Sequence, residues 1–213
     1  MPKIRLVLHD WNGCLLDDVP HRFEHGPCAI FRHFGLPLPT LEDYSHNISS
    51  DFMVWYYARG IPNSGDKKAD GDMLNAIMRS NMATAEIPPL FPETKLFLDS
   101  LHELGVTQTL VSAMEENEFH RQLDHHHLRG HFAQVHGGIR GKAPIFRKLL
   151  GAFQVKPEEA IGVTDMMSDA RELHEVGVKP IIVPRGYITP DPTSVPTLMV
   201  ARDLHEALAY IVR

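Results

Sequence analysis

This sequence of 213 residues has few cysteines and no long hydrophobic run. Its two cysteines, Cys14 and Cys28, have no Cys-x-x-Cys spacing, which argues against a disulfide framework and against a zinc knuckle. No stretch approaches the roughly 18 consecutive apolar residues that a transmembrane helix needs. The first residues lead into a predicted strand without a signal-peptide core, so we expect a cytoplasmic protein that does not associate with membranes.

Positive charge is outnumbered by negative charge, with 21 Lys and Arg residues against 27 Asp and Glu residues. The formal net charge is −6, the isoelectric point is about 6.1, and no basic stripe is present, which argues against nucleic acid as a partner. No Gly-x-Gly-x-x-Gly motif follows the first strand, which disfavours a dinucleotide-binding protein. A small anionic substrate would therefore need local cations or a metal ion for its binding.

Apolar runs typical of buried strands alternate with helical patterns along most of the chain. This alternation predicts right-handed βαβ crossovers and a parallel sheet covered on both faces, a doubly wound, Rossmann-like α/β core. The predicted strands are Ile4 to Leu8, Val106 to Val111, Ala133 to His136, Ala160 to Val163 and Pro180 to Val183. The predicted helices are Glu93 to Leu104, Asn117 to Leu128, Ala143 to Phe153, Met167 to Val176 and about Asp203 to Val212.

Residues 18–87 interrupt this alternation, because they contain several helical patterns and no convincing strand. Thr40-Leu-Glu-Asp43 is a variant of the capping box that marks a helix start, and Pro88-Pro89 closes the segment. We predict a core domain of residues 1–17 and 88–213, with an inserted α-helical cap domain of residues 18–87 over the carboxyl edge of the sheet.

Polar and charged residues follow four of the predicted strands. Ligands of open α/β sheets bind at the carboxyl ends of strands, so these residues are candidates for chemistry. A hydroxyl, a fixed cation and several carboxylates are the groups that phosphoryl transfer requires, since its catalysis is mainly positioning and charge neutralisation. The candidates are Asp10, Ser112, Lys142, Asp165 and Asp169.

Each candidate has a chemical role in such a site. Asp10 and Asp165 can share a Mg²⁺ ion, which takes oxygen ligands and keeps water and substrate phosphate in its shell. Lys142 would neutralise Asp10 and the phosphoryl oxygens, while Ser112 and backbone N–H groups of the Asn12-Gly13 turn would donate hydrogen bonds.

The arrangement resembles the haloacid dehalogenase superfamily, and in particular its phosphoglycolate-phosphatase-like branch, which has a helical cap after the first motif. The first motif of the family is matched by Asp10-Trp11-Asn12-Gly13-Cys14, the second by Ser112, the third by Lys142 and the fourth by Asp165-Met-Met-Ser-Asp169. The resemblance extends over nearly the whole chain. It implies a Mg²⁺-dependent phosphatase that hydrolyses a small phosphorylated metabolite through an aspartyl-phosphate.

The resemblance also implies a role for each matched residue. Asp10 would be the nucleophile and a Mg²⁺ ligand, the backbone carbonyl of Asn12 a second ligand and Asp165 a third. Asp169 would support the metal shell. Lys142 and Ser112, with the Gly13 turn, would bind the phosphate.

Asn12 departs from the family pattern, which usually has an acid–base Asp at this position. An amide cannot exchange a proton at neutral pH, and general acid–base catalysis typically contributes about 10²–10⁴-fold. Three outcomes stay open at this point. The enzyme acts on acyl or aryl phosphates, whose leaving groups need little protonation; another group such as His9 or His21 supplies the proton; or the phosphatase is slow.

Two other functions and one further site residue are predicted as alternatives. A protein with this fold could bind a phosphorylated ligand without turnover, or it could be a phosphonatase-like hydrolase of C–P bonds. The second alternative needs a cap lysine for a Schiff base, and the cap offers Lys67 and Lys68. The spacing of Phe52, Trp55, Tyr56 and Arg59 puts them roughly on one helical face. We expect the aromatic side chains to form the core of the cap, and Arg59 is a candidate substrate contact. The oligomeric state is left open.

Overall fold

The computed structural model describes residues 3–47, 52–187 and 190–212, without the side chain of His46. The chain forms two compact units. One contains Met1–Asp17 and Pro89–Arg213, and we call it the α/β unit. The other contains Asp18–Pro88, and we call it the helical unit. Among the described residues, no helix combines the length and the apolar character that crossing a membrane requires.

The helical unit is held by a small aromatic and aliphatic core. Phe31, Trp55 and Tyr56 are buried there, with ring centroids 5.1–6.1 Å apart. The Thr40 hydroxyl accepts the N–H of Asp43 at 3.1 Å, which is the helix start that the capping-box variant predicts. The α-helices of this unit are α1 (Val19–Phe23), α2 (Ala29–His33), α3 (Leu41–Asn47), α4 (Phe52–Tyr57) and α5 (Lys67–Ala83), with a π-helical turn (Glu24–Cys28) between α1 and α2.

The α/β unit contains a parallel sheet of six strands in the order β3-β2-β1-β4-β5-β6. The predicted doubly wound α/β fold is therefore confirmed. Each of the five predicted strands is present, with bounds that shift by up to two residues, and a sixth short strand was not predicted. The strands are β1 (Leu6–His9), β2 (Thr107–Val111), β3 (Gln134–His136), β4 (Ala160–Thr164), β5 (Lys179–Ile182) and β6 (Met199–Val200).

Strand β1 lies in the middle of the sheet and is completely buried. Its side chains alternate between the two faces, as the period of two requires. Val7 belongs to the apolar cluster on one face, whereas Leu6 and Leu8 belong to the cluster on the other. A strand covered on both sides is mostly apolar, which explains why the apolar run before His9 and Asp10 predicted it so clearly.

Helices cover the sheet on both faces. The side chains of α6 (Thr94–Glu103), α7 (Glu116–His125) and α10 (Leu204–Ile211) join the cluster that contains Val7. Those of α8 (Ala143–Ala152) and α9 (Met167–Glu175) join the cluster that contains Leu6. Each of these helices starts within one residue of its predicted position.

Candidate active site

The sheet brings the predicted strand-end residues to one edge. Strands β2, β1 and β4 are neighbours, so Ser112, Asp10 and Asp165 follow three adjacent carboxyl ends. The N–H of Asp10 donates to the carbonyl of Val163 at 2.9 Å, which extends the β1–β4 pairing by one residue and fixes the backbone of Asp10. Asp10 and Asp165 are each 7% exposed.

Asp10, Lys142 and Asp169 form a buried charged cluster. Lys142 Nζ donates to Asp10 Oδ1 at 2.7 Å and to Asp169 Oδ2 at 2.5 Å. The backbone N–H of Trp11 also donates to Asp10 Oδ1, at 2.8 Å. Lys142 lies just before α8, far from Asp10 in sequence, and the fold alone brings the two together. This pairing holds the Asp10 carboxylate in a fixed orientation.

The protonation states within this cluster follow from burial and charge. Burial disfavours the ammonium of Lys142, but the charges of Asp10 and Asp169 outweigh that effect and raise the pKa of Lys142 above its ordinary value. Burial, followed by the charge of Asp10, raises the pKa of Asp169 to about 6, although Lys142 opposes the shift. Lys142 is therefore cationic at neutral pH, and the cluster carries more carboxylate charge than one ammonium balances.

The loop after Asp10 reaches both neighbouring strand ends. The hydroxyl of Ser112 lies 3.0 Å from Asn12 Oδ1 and accepts the N–H of Met114 at 3.0 Å. Gly13 has a φ of 67°, and a Cβ on it would lie 2.1 Å from Asp165 Oδ2. Only glycine leaves room for the Asp165 carboxylate beside this backbone. The turn thus brings Asn12 to Ser112 and Gly13 to Asp165.

Two positioning contacts were not predicted from the sequence. The Thr164 hydroxyl lies 3.3 Å from Asp10 Oδ2 and 3.5 Å from Asp169 Oδ2, so it contacts the oxygen of Asp10 that Lys142 does not. Glu172 accepts the N–H of Ala143 at 2.6 Å and so fixes the start of α8, next to Lys142. Glu172 follows Asp169 by three residues on α9, a spacing that puts both on one helical face and could have revealed it.

The donor set fits a divalent cation. Within residues 3–47, 52–187 and 190–212, no group of three or more histidine, cysteine or carboxylate side chains is close enough to hold one metal ion. A metal site here would therefore need donors besides these side chains, and a backbone oxygen is one such donor. Asp10, Asp165 and the Asn12 backbone supply oxygen donors only, which suits Mg²⁺. The excess carboxylate charge, and the absence of a Cβ on Gly13 beside Asp165, are consistent with that ion.

His9 and Cys14 lie beside Asp10 in the sequence, and both are buried. Burial lowers the pKa of His9 to about 3. The hydrogen bond between His9 Nε2 and Gln108, at 3.1 Å, raises the pKa but does not outweigh burial. His9 is therefore neutral at physiological pH and is not an effective general acid for a leaving group. Burial, with the charges of Asp10 and Asp165, raises the pKa of the Cys14 thiol, so Cys14 is no thiolate nucleophile.

Arg59 and the two candidate lysines lie in the helical unit. Arg59 pairs with Asp43 through two hydrogen bonds of 2.7 and 2.6 Å and donates to the carbonyl of Trp55 at 3.1 Å. These contacts give Arg59 a role within the helical unit, and its role in substrate binding stays a prediction. Lys67 and Lys68 are exposed. A hydrogen bond with Asp72 raises the pKa of Lys68, which is the opposite of what a Schiff-base lysine needs.

The chain is similar to known proteins in sequence and in structure. A family model described as haloacid dehalogenase-like hydrolase matches residues 7–183. A phosphoglycolate phosphatase of Aliivibrio fischeri is 27% identical over 205 residues, which cover 90% of this chain and 88% of that protein. A phosphoserine phosphatase of Thermus thermophilus is 35% identical over 124 residues, which cover 55% of this chain and 49% of the relative. A haloacid dehalogenase-like family hydrolase from Streptococcus pneumoniae has a similar structure, with a TM-score of 0.79, 18% identity and 99% of each chain covered.

Proposed function

The chain belongs to the haloacid dehalogenase-like hydrolases and is a phosphoric monoester hydrolase, and from this premise we propose that Asp10 is its nucleophile. The proposed reaction is the Mg²⁺-dependent hydrolysis of a small phosphorylated metabolite through an aspartyl-phosphate on Asp10. The proposed helical cap is the unit Asp18–Pro88.

One observation carries this proposal. Lys142, a residue of a distant segment, donates to the Asp10 carboxylate at 2.7 Å in a place where both side chains are at most 8% exposed. A buried ion pair is costly unless it is well paired, and replacing such a pair by apolar residues is often neutral or stabilising. Its presence at the carboxyl edge of the sheet, with Asp165 and Ser112 on the neighbouring strand ends, therefore favours a catalytic role over a structural one.

The proposed reaction has two chemical steps, and each site residue has a role in them. The Asp10 carboxylate attacks phosphorus, a P–O bond to Asp10 forms, and the bond to the leaving oxygen breaks. Water then attacks the phosphorus of the phosphorylated Asp10, which releases inorganic phosphate and restores the carboxylate. Lys142 neutralises charge on Asp10 and on the phosphoryl oxygens, while Ser112 and the backbone around Gly13 donate hydrogen bonds to those oxygens.

Asp10, Asp165 and the backbone carbonyl of Asn12 would hold Mg²⁺, with Asp169 supporting this set through Lys142. Bound there, the ion would reduce the repulsion between the anionic phosphoryl group and the carboxylate that attacks it. Asparagine at position 12, where the family usually has aspartate, is compatible with such binding. The ligand is the backbone carbonyl, which Asn and Asp supply equally well.

Asn12 determines which leaving groups suit the site. Its amide lies against the Ser112 hydroxyl and cannot donate a proton to an alkoxide at neutral pH. His9, which is the nearest histidine in sequence, is neutral and buried. The substrate class that this site favours is an acyl or aryl phosphate, whose leaving group departs without full protonation.

The test is phosphate release from a panel of acyl, aryl and alkyl phosphates. We expect release that requires Mg²⁺, stops with a chelator and falls at least about 10³-fold in Asp10→Asn, as for other removed nucleophiles. Asp99→Asn is the matched control, because Asp99 is an exposed residue of the same unit whose carboxylate pairs with His131 at 2.8 Å. Release by Asp10→Asn at the wild-type rate would refute the proposal.

A second candidate function is supported by the presence of Asn12 where the family usually has an acid–base Asp. With Asn12 in place of the acid–base residue, the protein would bind a phosphorylated ligand and Mg²⁺ with little or no turnover. Calorimetric binding of a phosphorylated ligand, without phosphate release from any member of the panel, would favour this candidate over the enzyme.

A further inference from the structure

Arg185 is a buried arginine that contacts the loop containing Asp10. It follows β5, and its side chain is 8% exposed. Its Nη1 donates to Glu93 Oε1 at 2.5 Å, and its Nη2 donates to the carbonyl oxygen of Cys14 at 3.0 Å. Its Cζ lies 3.5 Å from the centroid of the Phe91 ring. One guanidinium therefore joins three segments that are distant in the sequence.

The conformation of Arg185 is not the one that an arginine prefers. Its φ is 53°, in the left-handed region that residues other than glycine rarely adopt. Its Nε is buried and has no hydrogen-bond partner in the described part of the chain. Backbone strain of this kind persists where surrounding contacts hold it, and it is concentrated at functional sites.

Glu93 keeps the guanidinium paired. Burial pushes the pKa of Glu93 upward, but the hydrogen bond with Arg185, the charge of Arg185 and the backbone N–H groups that donate to Glu93 together outweigh burial and hold the pKa below its ordinary value. Glu93 is therefore ionised at neutral pH. This ion pair lets Arg185 remain charged in a buried position, where its second terminal nitrogen reaches the backbone of Cys14.

The contact is made at a sensitive point of the loop. The carbonyl of Trp11 accepts the N–H groups of Leu15 and Leu16 at 3.0 Å, so residues 11–16 form one closed turn. The carbonyl of Leu15, the next residue after Cys14, accepts a hydrogen bond from the Thr94 hydroxyl at 2.8 Å. Arg185 and the start of α6 thus hold two successive carbonyl groups, and the rigid turn transmits their position to Asn12 and Gly13.

We propose that Arg185 is a positioning residue for the catalytic loop. Through the carbonyl oxygen of Cys14 it fixes the turn that sets Asp10, Asn12 and Gly13 against the phosphoryl group. This inference rests on the proposed function, in which Asp10 attacks phosphorus. Loss of the contact lowers kcat more than it raises KM, because Lys142 and Ser112 bind the phosphoryl oxygens from other segments.

The experiment compares Arg185→Met with the double variant Arg185→Met/Glu93→Gln. The single variant leaves Glu93 buried and unpaired, so it loses stability. The double variant removes both charges and recovers most of the thermal midpoint, but it still lacks the bond to Cys14. The matched control is Arg147→Met/Glu175→Gln, which removes an exposed ion pair between α8 and α9.

Kinetics and amide hydrogen exchange are measured on all variants. We expect the double variant to keep a kcat about a hundredfold below wild type, as small displacements of reacting groups produce, with KM within about threefold. Backbone amides of residues 12–16 exchange faster in it, while the strands keep their protection. The control matches wild type in both measurements.

Three results would overturn the inference. These are recovery of kcat together with the thermal midpoint, a loss confined to KM, and unchanged exchange in residues 12–16. If wild type releases no phosphate from any substrate, the proposed function fails, and the exchange of residues 12–16 then decides the positioning role alone. Faster exchange in the double variant would still support it, and wild-type exchange would refute it.

Discussion

The two units of this protein use their buried charged groups differently. In the α/β unit, Asp10, Lys142 and Asp165 are buried at one edge of the sheet, and Lys142 joins two carboxylates that come from different segments. In the helical unit, the buried Asp70 accepts the hydroxyl of Tyr57 at 2.7 Å and the N–H of Ser64 at 3.0 Å. The first arrangement concentrates charge, whereas the second satisfies local donors and fixes a loop.

This difference suggests separate roles for the two units in catalysis and in substrate binding. Burying several like charges together is unfavourable for folding, so such a cluster marks a place where function requires it. The helical unit buries aromatic rings, and its buried Asp70 is satisfied by neutral donors, which is what a small helical domain needs for stability. We therefore expect substitutions in the α/β unit to act on kcat, and substitutions in the helical unit to act on KM and substrate choice.

The largest expected effect is that of Lys142→Met. It removes the cation that neutralises Asp10, so kcat should fall about 10³-fold, as when an electrostatic group is removed from an active site. Steady-state phosphate release measures this, with Lys148→Met on the exposed face of α8 as the control. A wild-type kcat in Lys142→Met would contradict the expectation that the buried charges of the α/β unit act on kcat.

The next effect is a gain of activity in Asn12→Asp. A carboxyl at this position can protonate an alkoxide, so hydrolysis of an alkyl phosphate should rise about 10²-fold. Hydrolysis of an aryl phosphate, whose leaving group needs little protonation, should rise less, so the ratio of the two rates reports protonation of the leaving group. An unchanged or lower rate on the alkyl phosphate would show that Asn12 does not limit the reaction.

A third prediction concerns the pH dependence of stability in the α/β unit. The pKa of His9 is about 3 in the folded protein and 6.5 in its ordinary state, so unfolding takes up a proton below pH 6.5. The stability that neutral His9 contributes is complete above pH 6.5, and it is lost toward pH 3 at up to about 1.4 kcal/mol per pH unit.

Urea unfolding between pH 7 and pH 5 tests this prediction. Trp11 and Trp55 are the two tryptophans, one in each unit, so a Trp55→Phe background makes fluorescence report on the α/β unit. In that background His9→Gln should flatten the loss of stability at low pH, whereas His33→Gln, an exposed residue of the helical unit, should leave it unchanged. An equal slope with and without His9 would contradict the prediction.

The smallest expected effect is that of Arg59→Ala. If Arg59 meets the part of the substrate that is not phosphoryl, KM should rise about tenfold with little change in kcat, which corresponds to the loss of one charged contact. Asp43→Asn weakens the ion pair of Arg59 while keeping the guanidinium, so it separates substrate binding from stability of the helical unit. An unchanged KM in Arg59→Ala would remove Arg59 from the site.

The sequence predicted the sheet well because its central strands are apolar and bounded by turns. The sixth strand, Met199–Val200, has only two residues and follows a proline-rich loop, so no periodicity could indicate it. Strand-end position identified Asp10, Ser112 and Asp165 as neighbours, since adjacent strands bring their carboxyl ends together.

The partners of these residues were harder to predict. Arg185, Glu93 and Glu172 act through contacts between segments that only the folded chain brings together. Their residue types are common on protein surfaces, and apart from the spacing of Glu172 from Asp169 on α9, no local pattern separates them from solvated side chains. Arg185 does follow a strand at the same sheet edge, which is the one signal that could have identified it.

Direct detection of phosphate on Asp10 tests the central claim. Wild-type protein is mixed with Mg²⁺ and an aryl phosphate, quenched in acid within the first turnover and digested for mass spectrometry. The account predicts a phosphoryl group on the peptide that contains Asp10, and its absence from Asp10→Asn. Phosphate release without any phosphorylated peptide, or with the phosphoryl group on another residue, would contradict the account.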